Sequence, residues 1–382
     1  MKILPTALAN KVAQRTQANA LRILPLPNTL IDFASNDYLG FSQSESIYDS
    51  TYQYLEENGI TRNGATGSRL ISGNHSLYEV VENFISDFHQ SDTALLFNSG
   101  YDANVGFFSS VPQKGDLVLY DEFIHASIRD GIKLGNANSY KFAHNSLEAL
   151  KMLLQRHRKA CAEVYIVTES VFSMDGDSPD IEAMVSLSQK YSCRLIVDEA
   201  HALGVVGSKG EGLVQLLGLQ DSVFARIVTF GKGLGCHGAA ILCAPDLREY
   251  LINFARSFIY TTGLPPHSVA TILEAYKYLA TDSSAQKTLK DNVSFFRNEV
   301  ERLNLEKCFI SSASAIHCAV IPRIEKVKFI TSVLQQKGYD VKAILSPTVP
   351  TGQERLRFCI HSYNTHPQIT GVLENLSLTL QE

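Results

Sequence analysis

The sequence predicts an α/β protein: a mainly parallel central sheet with helices on both faces, followed by a smaller α+β unit. Two observations support this fold class. Between residues 94 and 243, short apolar runs alternate with segments of helical period, an order typical of βαβ units. Most of these runs are apolar at nearly every position, which indicates strands buried on both faces of a sheet.

The chain divides into three predicted regions: an N-terminal arm over residues 1–40, a large domain over 41–280 and a small domain over 281–382. The arm contains a predicted helix over residues 6–21, which Pro25 and Pro27 end. A short strand, Leu30–Ala34, follows it. The arm leads into the large domain, which begins with helical and loop segments before the sheet.

The large domain is defined by a glycine-serine loop and then by alternating strands and helices. The loop, Asn63–Gly73, opens a helix that begins near His75. The predicted strands are Ala94–Phe97, Leu117–Tyr120, Tyr140–Phe142, Val164–Thr168, Leu195–Val197, Ile227–Phe230 and Ala239–Cys243. The predicted helices begin near Tyr101 and His125 and span Leu147–His157, Ile181–Tyr191, Leu247–Phe258 and Ser268–Leu279. The small domain is predicted as a helix from Lys287, strand Ala315–Ile321, helix Ile324–Lys337 and strands Val341–Ile344 and Arg357–Ile360.

The composition is that of an ordinary globular protein. Of the 382 residues, 45% are hydrophobic, which is enough to bury a sizeable core. The net charge of −5 provides no basic field for a nucleic acid or an anionic membrane, and no apolar run is long enough to cross a bilayer. The seven cysteines lack metal-site spacing and indicate core residues in a reducing compartment. We therefore expect a cytoplasmic protein without a metal, a nucleic acid or a membrane as partner.

A lone lysine between two apolar runs is the first candidate for chemistry. The run Ile227–Phe230 predicts a buried strand that delivers Lys232 just beyond its end, and Ala239–Cys243 predicts a second strand leaving the same loop. The glycines after Lys232 also match G-x-G-x-x-G, but the dinucleotide fingerprint requires a helix where this sequence is strand-like. Taken alone, Lys232 is better explained as an exposed lysine in a flexible loop.

A second polar group follows the apolar run Leu195–Val197. Asp198 and His201 stand at its end, and ligands of parallel sheets bind outside the carboxyl ends of the strands. Asp198, His201 and Lys232 are therefore expected to face one cleft. A lysine that can form a Schiff base, opposite a carboxylate that can hold a protonated pyridine nitrogen, is the arrangement that pyridoxal phosphate requires.

The chain resembles the α-oxoamine synthases, fold-type I pyridoxal-phosphate enzymes that join an amino acid to an acyl-CoA with loss of carbon dioxide. The resemblance extends from about Phe33 to the C-terminus. It is carried, in order, by FASNDYLGFS, GATGSRLISGNHSLYEVVE, LLFNSGYDAN, HASIRDG, VTESVFSMDGDSPDI, IVDEAHALGVVG, VTFGKGLG, FIYTTGLPP and ERLRFCI. It implies pyridoxal 5′-phosphate as cofactor, an amino acid and an acyl-CoA as substrates, and a homodimer with shared active sites.

The resemblance also implies how individual residues act on the cofactor. Lys232 would hold it as a Schiff base and move the α-proton of the amino acid, while Asp198 would keep the ring nitrogen protonated. His201 would hydrogen-bond the phenolic oxygen, and His125 would stack on the pyridine face. Two further residues are implied to lie in the cleft, namely Glu169 and Ser173.

A predicted turn between a strand and a helix is the candidate binding site for the cofactor phosphate. Such a turn presents free backbone N–H groups and a positive dipole end to an anion, although a Ser-Gly pair is also common turn chemistry. The resemblance adds two hydroxyl groups to this site. The first is that of Thr229, and the second is that of Thr261 of the partner subunit or of Thr262 of the partner subunit. The turn residues are Ser99, Gly100 and Tyr101.

Two arginines near the C-terminus concern the substrate. Arg355 and Arg357 point the same way by strand alternation, and a guanidinium can clamp a carboxylate with two hydrogen bonds. In the family's motif the second arginine has this task, so we assign it to Arg357 and expect Arg355 to be a surface or interface charge. Asn36, in a polar turn, is implied to lie near the cofactor, although an Asx-turn is an equal alternative. Arg22 is the candidate partner for a distal carboxylate on the acyl group.

The acyl donor and the amino acid are predicted by local likeness. The segments VTFGKGLGCHGAAILCAP and FARSFIYTTGLPP are most similar to family members that condense L-alanine with pimeloyl-CoA or another pimeloyl thioester in biotin biosynthesis. Glycine C-acetyltransferase, 5-aminolevulinate synthase and serine palmitoyltransferase are alternatives within the family. Outside it, a Rossmann-type dinucleotide binder and a cofactor-binding protein without turnover remain open. His237 departs from the pattern, which usually has a small residue there, and the arm is shorter than expected.

Overall fold

The structure, a computed structural model, describes residues 4–24, 26, 28–346 and 348–381. The strands are β1 (Ile31–Asp32), β2 (Thr93–Phe97), β3 (Leu117–Asp121), β4 (Asn138–Phe142), β5 (Val164–Glu169), β6 (Arg194–Asp198), β7 (Ala225–Thr229), β8 (Ala239–Cys243), β9 (Ile316–Val320), β10 (Tyr339–Asp340), β11 (Lys342–Ile344) and β12 (Arg355–Cys359). The helices are α1 (Thr6–Gln17), α2 (Glu45–Glu57), α3 (Ser76–Phe88), α4 (Gly100–Ser110), α5 (Ala126–Leu134), α6 (Leu147–His157), α7 (Ile181–Tyr191), α8 (Leu213–Leu216), α9 (Pro245–Phe254), α10 (Arg256–Ile259), α11 (Pro266–Thr281), α12 (Ser284–Arg302), α13 (Ile324–Gln336) and α14 (His366–Gln381).

A seven-stranded sheet forms the centre of the molecule, in the order β2-β8-β7-β6-β5-β3-β4. Strand β8 runs antiparallel to its neighbours β2 and β7, and the remaining neighbours are parallel. The predicted mainly parallel sheet is therefore confirmed.

Both faces of this sheet are buried by helices. Along β5, Tyr165 and Val167 pack in one apolar cluster with Phe107 of α4, whereas Val164 and Ile166 pack in another that contains residues of α6 and α7. The strands are thus apolar at successive positions because each face meets its own layer of helices. This layering agrees with the α/β fold class predicted from the sequence.

The register of the parallel strands places polar residues together at one edge of the sheet. Glu169 pairs with Asp198 across β5 and β6, and Asp198 pairs with Ile227 across β6 and β7. Lys232 follows three residues after β7 ends at Thr229. The strand ends therefore deliver a lysine and two carboxylates to the same region.

A smaller antiparallel sheet, in the order β11-β12-β9, lies in the C-terminal part of the chain with α12, α13 and α14. The arm joins this region, because β1 pairs in parallel with β10, Ile31 opposite Tyr339. One apolar cluster includes Phe33, Phe296 and Leu376. The proposed boundaries at residues 40 and 280 stay a prediction.

Two predicted helices differ from the structure. The helix predicted over residues 6–21 ends at Gln17, because Asn19 adopts a left-handed conformation with φ of 49° that a helix does not continue through. Pro25 and Pro27, expected to end it, lie outside the described residues. The helix predicted over Leu247–Phe258 is wrong as one element. It is broken at the buried, extended Ala255, after which the Ser257 hydroxyl donates to the Asp102 carbonyl of α4.

Among the described residues, no helix combines the length and the apolar character that crossing a membrane requires. All seven cysteines are free thiols.

Candidate active site

A cavity of about 230 Å³ lies at the carboxyl edge of the central sheet, beyond the ends of β5, β6 and β7. This is the edge at which ligands of parallel sheets bind. Its walls contain nine of the residues that the sequence predicted for the cofactor. They form two groups, described in turn below: one around Lys232 and one around the start of α4.

Lys232 lies at one end of a chain of hydrogen bonds. Its Nζ is 2.8 Å from Nε2 of His201, and Nδ1 of His201 is 2.7 Å from the Tyr38 hydroxyl. The Tyr38 hydroxyl donates to Oδ1 of Asn36 over 3.1 Å, and Nη2 of Arg357 donates to the same oxygen over 2.8 Å. The network assigns the proton of His201 to Nδ1 and leaves Nε2 as the acceptor for the lysine. The chain connects the predicted carboxylate-binding arginine to the predicted catalytic lysine.

The protonation states along this chain follow from burial. Burial lowers the pKa of Lys232 to about 8, against the opposing effect of the Asp198 and Glu169 carboxylates. Burial and the Lys232 cation hold the pKa of His201 well below its usual range, so its ring is neutral. Burial raises the pKa of Tyr38, which therefore keeps its proton. A lysine that is about half neutral near pH 8 is suited to act as a nucleophile and a base.

Asp198 is buried and held on both carboxylate oxygens. Its Oδ1 accepts the N–H of Ala200 over 2.9 Å, and its Oδ2 accepts Nδ2 of Asn104 over 2.9 Å. Asn104 in turn donates to the Ser127 hydroxyl over 3.0 Å. A carboxylate fixed in this way is oriented to face a cation in the cavity.

Asn104 and Tyr38 contact site residues, Asp198 and His201, and these contacts were not predicted from the sequence. Asn104 is a buried polar residue on α4, and Tyr38 is a fully buried tyrosine. Both stand inside motifs that carried the family resemblance. Their partners, Asp198 and His201, are far away in the sequence. A polar residue on a helix face that packs against the sheet was the available signal for Asn104.

Glu169 and His125 form another wall of the cavity. Oε1 of Glu169 accepts the backbone N–H of His125 over 2.5 Å, and Nδ1 of His125 is 2.7 Å from the Ser127 hydroxyl. Burial raises the pKa of Glu169 to about 8, and the neighbouring Asp198 charge acts in the same direction. Near neutral pH, Glu169 therefore carries its proton and Asp198 supplies the negative charge of this wall.

The start of α4 has the space and the hydrogen-bond donors that a phosphate requires. Ser99 caps the helix, its hydroxyl accepting the Asp102 N–H over 3.1 Å. A Cβ added to Gly100 would lie 2.5 Å from Cγ2 of Thr229, so only glycine allows this close approach. Oγ1 of Thr229 is buried and has no hydrogen-bond partner among the described residues. With the exposed N-terminal turn at Tyr101, these groups offer unsatisfied donors to an anion.

Four predicted residues lie outside both the cavity wall and the hydrogen-bond chain that begins at Lys232. Thr261 and Thr262 contact Asn98 of their own chain, the residue before Ser99: its Nδ2 donates to Oγ1 of Thr261 over 3.0 Å and to the Thr262 carbonyl over 2.6 Å. Neither threonine lines the cavity in a single chain, and their predicted contribution to the partner subunit stays a prediction. Two others are also absent from the cavity wall, namely the partly buried Ser173 and the exposed Arg22.

Of the two C-terminal arginines, Arg357 is placed as expected and Arg355 is not. Arg357 is buried, and its Nε has no hydrogen-bond partner among the described residues, which leaves a donor for a substrate carboxylate. Arg355 was expected to be a surface or interface charge, and this is wrong. It is only 2% exposed and forms an ion pair with Asp175. The loop after β5 folds over the start of β12, so the strand is covered where solvent was expected.

A polar cluster outside the cavity has the residue types of a metal site. Ligand atoms of His144, Asp175 and Asp177 lie within 4.8 Å of one another. Each already has a strong protein partner, however: both His144 nitrogens contact carboxylates, and Asp175 pairs with Arg355. We therefore assign no metal to it.

Comparison with known proteins agrees with this geometry. The profile of the aminotransferase class I and II family matches residues 28–376. An 8-amino-7-oxononanoate synthase of Emericella nidulans is 42% identical over 378 residues, spanning 93% of this chain and 90% of the relative. A solved serine palmitoyltransferase from S. paucimobilis with a bound PLP–myriocin aldimine has a TM-score of 0.89 at 26% identity, covering 98% of this chain and 97% of that one.

An 8-amino-7-oxononanoate synthase structure from Francisella tularensis has a TM-score of 0.78 at 29% identity, covering 93% of this chain and 99% of that one. The family profile, the relatives and the fold agree with the motifs found along the sequence. The chain therefore belongs to the aminotransferase class I and II family and, within it, to the α-oxoamine synthases.

Proposed function

We propose that this protein condenses L-alanine with pimeloyl-CoA or another pimeloyl thioester, with loss of carbon dioxide and the thiol, in biotin biosynthesis. This is 8-amino-7-oxononanoate synthase activity. The observation that carries the proposal is the cavity, in which Lys232, with its pKa lowered to about 8, shares a wall with the fixed carboxylate of Asp198. The 42% identity to a synthase of this activity indicates the substrates.

Pyridoxal phosphate, when bound, supplies an electron sink that stabilises negative charge at the α-carbon of the amino acid. Asp198 would hold the protonated ring nitrogen, because its buried charge favours the cation. Ser99, Gly100 and Thr229 would hold the phosphate through the start of α4 and the free Thr229 hydroxyl. Lys232 would carry the cofactor, and His125 would cover one face of the ring.

Arg357 would bind the carboxylate of the amino acid. Its side chain is buried, its Nη2 is fixed by Asn36, and its Nε is free. A guanidinium held in this way presents a planar pair of donors to a carboxylate. The amino acid is thereby oriented with its α-carbon toward the lysine end of the hydrogen-bond chain.

Lys232 would remove and return the α-proton. Its Nζ lies against the neutral Nε2 of His201, which accepts a hydrogen bond and keeps the amine oriented. Because the pKa of Lys232 is about 8, the free amine is present in a useful fraction near neutral pH. Tyr38 holds the other side of the His201 ring and fixes its tautomer.

The overall reaction balances without an added oxidant or reductant. A carbon–carbon bond forms between the alanine α-carbon and the acyl carbonyl carbon, and the thioester carbon–sulfur bond breaks to release the thiol. The bond from the α-carbon to the carboxylate then breaks, carbon dioxide leaves, and a proton takes its place.

We further propose a cytoplasmic homodimer with shared active sites. Support comes from the seven free thiols, from the exposure of every described residue of α1, and from Thr261 and Thr262, which contact Asn98, the residue before the phosphate turn. Thr262 of the partner subunit would complete the phosphate site of each protomer.

Serine palmitoyltransferase activity is the second candidate. A solved serine palmitoyltransferase superposes on this chain with a TM-score of 0.89, against 0.78 for a solved 8-amino-7-oxononanoate synthase, although its identity is slightly lower. The backbone therefore does not separate the two activities, and the acyl pocket must be tested directly.

The test is release of free thiol from a panel of pimeloyl-, acetyl- and palmitoyl-CoA with alanine, glycine and serine. We expect the highest kcat/KM with alanine and the pimeloyl donor. Glycine should retain some activity, because one methyl group is worth only about 1–3 kcal/mol in a pocket. A higher kcat/KM with palmitoyl-CoA and serine would replace the proposal by the second candidate, and no thiol release with any pair would refute both.

A further inference from the structure

We propose that His237 is a ligand of the cofactor phosphate, donating an imidazole N–H to a phosphate oxygen. The inference rests on the proposed use of pyridoxal phosphate and adds a residue to its binding site. His237 lies in the loop between Lys232 and β8, at a position where the sequence departs from the family pattern. It lines the same cavity as Ser99, Gly100 and Thr229.

The strand register places this histidine beside the start of α4. Ala239, the first residue of β8, pairs with Phe97 on one side and with Thr229 on the other. Because β2 and β8 are antiparallel, two further residues along β2 lead to Ser99 and two residues back from β8 lead to His237. The phosphate turn, the Thr229 hydroxyl and the His237 loop therefore meet at one corner of the cavity.

The loop holds His237 firmly. The Cys236 N–H donates to the Phe230 carbonyl over 2.8 Å, and the Phe230 N–H donates to the Gly238 carbonyl over 2.9 Å. These two bonds bracket His237. Gly238 has a φ of 117°, and a Cβ there would lie 3.3 Å from Leu264 and Phe230 side-chain atoms, so the bend is fixed by glycine. The backbone of His237 is thus ordered, while its side chain is exposed toward the cavity.

The imidazole of His237 does not hydrogen-bond to any other part of the described structure. Neither ring nitrogen forms a hydrogen bond with any of the described residues, in contrast to His125 and His201, which are engaged by Ser127 and by Tyr38 and Lys232. A free imidazole on a fixed loop is available for a ligand.

The phosphate corner also lacks another basic side chain. Among the described residues that line the cavity, Lys232 is the only lysine or arginine, and it is directed to His201. The Asp102 carboxylate lies at the same helix start, where it accepts the Ser99 hydroxyl over 2.8 Å, and it repels an anion. A phosphate here would otherwise rely on neutral donors, so an imidazole N–H adds the strongest remaining attraction.

The test compares two ligands that differ only in the phosphate. Apo-protein is titrated with pyridoxal 5′-phosphate and with pyridoxal, and the dissociation constants are read from the absorbance of the bound chromophore. We expect His237→Ala to raise the dissociation constant of pyridoxal 5′-phosphate by about tenfold and to leave that of pyridoxal unchanged. His237→Gln, which keeps an N–H donor, should recover part of the loss, and His237→Glu should show the largest loss.

The matched control is His267→Ala, which removes an exposed imidazole outside the cavity, and thermal unfolding of each apo-variant verifies the fold. Equal dissociation constants for the wild type and His237→Ala would overturn the inference, as would an equal loss for both ligands. A raised KM for the acyl donor with unchanged cofactor affinity would also overturn it and assign His237 to the acyl site. Absence of cofactor binding to the wild-type protein would instead refute the proposed function.

Discussion

Lys232 is the residue on which the proposed chemistry depends. We predict that Lys232→Ala abolishes turnover, a loss of at least about 10³-fold, because the residue serves both as the covalent attachment point and as the base. Borohydride reduction of the wild-type holoenzyme should fix the cofactor to the peptide that contains Lys232, as read by mass spectrometry. The exposed Lys151 provides the control substitution, Lys151→Ala. Attachment of the cofactor to any other lysine would contradict the assignment.

Some residues of the site could be predicted from the sequence, and others could not. Lys232, Asp198 and His201 were predicted to share a cleft because each follows a buried apolar run, and parallel strand ends meet at one edge. Asn104 and Tyr38 escaped prediction because their roles come from partners 94 and 163 residues away. The burial of Arg355 was not predicted for the same reason, because the loop of Asp175 that covers it belongs to a distant part of the chain.

At the scale of elements, His144 connects the loops that follow three strands of the central sheet. It stands after β4, its Nδ1 is 2.9 Å from Oδ1 of Asp121 at the end of β3, and its Nε2 is 2.8 Å from Oδ2 of Asp177 after β5. Burial alone lowers the pKa of His144, but hydrogen bonds to Asp121 and Asp177 raise it to about 9. The ring is therefore a cation that joins two carboxylates.

The raised pKa predicts a dependence of stability on pH. Since the folded pKa exceeds the unfolded value of about 6.5, the contribution of His144 to the free energy of unfolding is complete below pH 6.5 and is lost as the pH rises through 9. We expect His144→Gln to lower the melting temperature more at pH 6 than at pH 9.5. Thermal unfolding of both proteins across this range measures the difference. An identical shift at both pH values would show that the charge of His144 contributes nothing.

The elements also show where sequence patterns are sufficient. The strands of the large sheet were predicted within one or two residues at most ends, because their apolar runs stop at glycine or polar residues. The break between α9 and α10 was not predicted, because the helical period continues through Ala255. The break depends on packing against α4, which no local pattern records.

At the scale of the whole molecule, we predict an obligate homodimer that buries more than about 2,000 Å². Its active sites should each need Thr262 of the partner subunit. Mixing a Lys232→Ala protein with one that carries Thr262→Val should therefore restore activity, because one of the two sites in the hybrid has both intact residues. Sedimentation at nanomolar concentration, combined with an activity assay, checks the same point. A fully active monomer would contradict the prediction.

The two parts of the site lie far apart along the chain, and this affects the order in which they appear during synthesis. Asn36 and Tyr38, just after β1, meet Arg357 of β12 and His201 in one hydrogen-bond chain. The phosphate corner, by contrast, is built from residues between 99 and 238. During synthesis from the N-terminus, the nascent chain thus holds every part of its own phosphate corner more than a hundred residues before Arg357 emerges. A polypeptide released early would carry these phosphate-binding residues but would have no clamp for an amino acid.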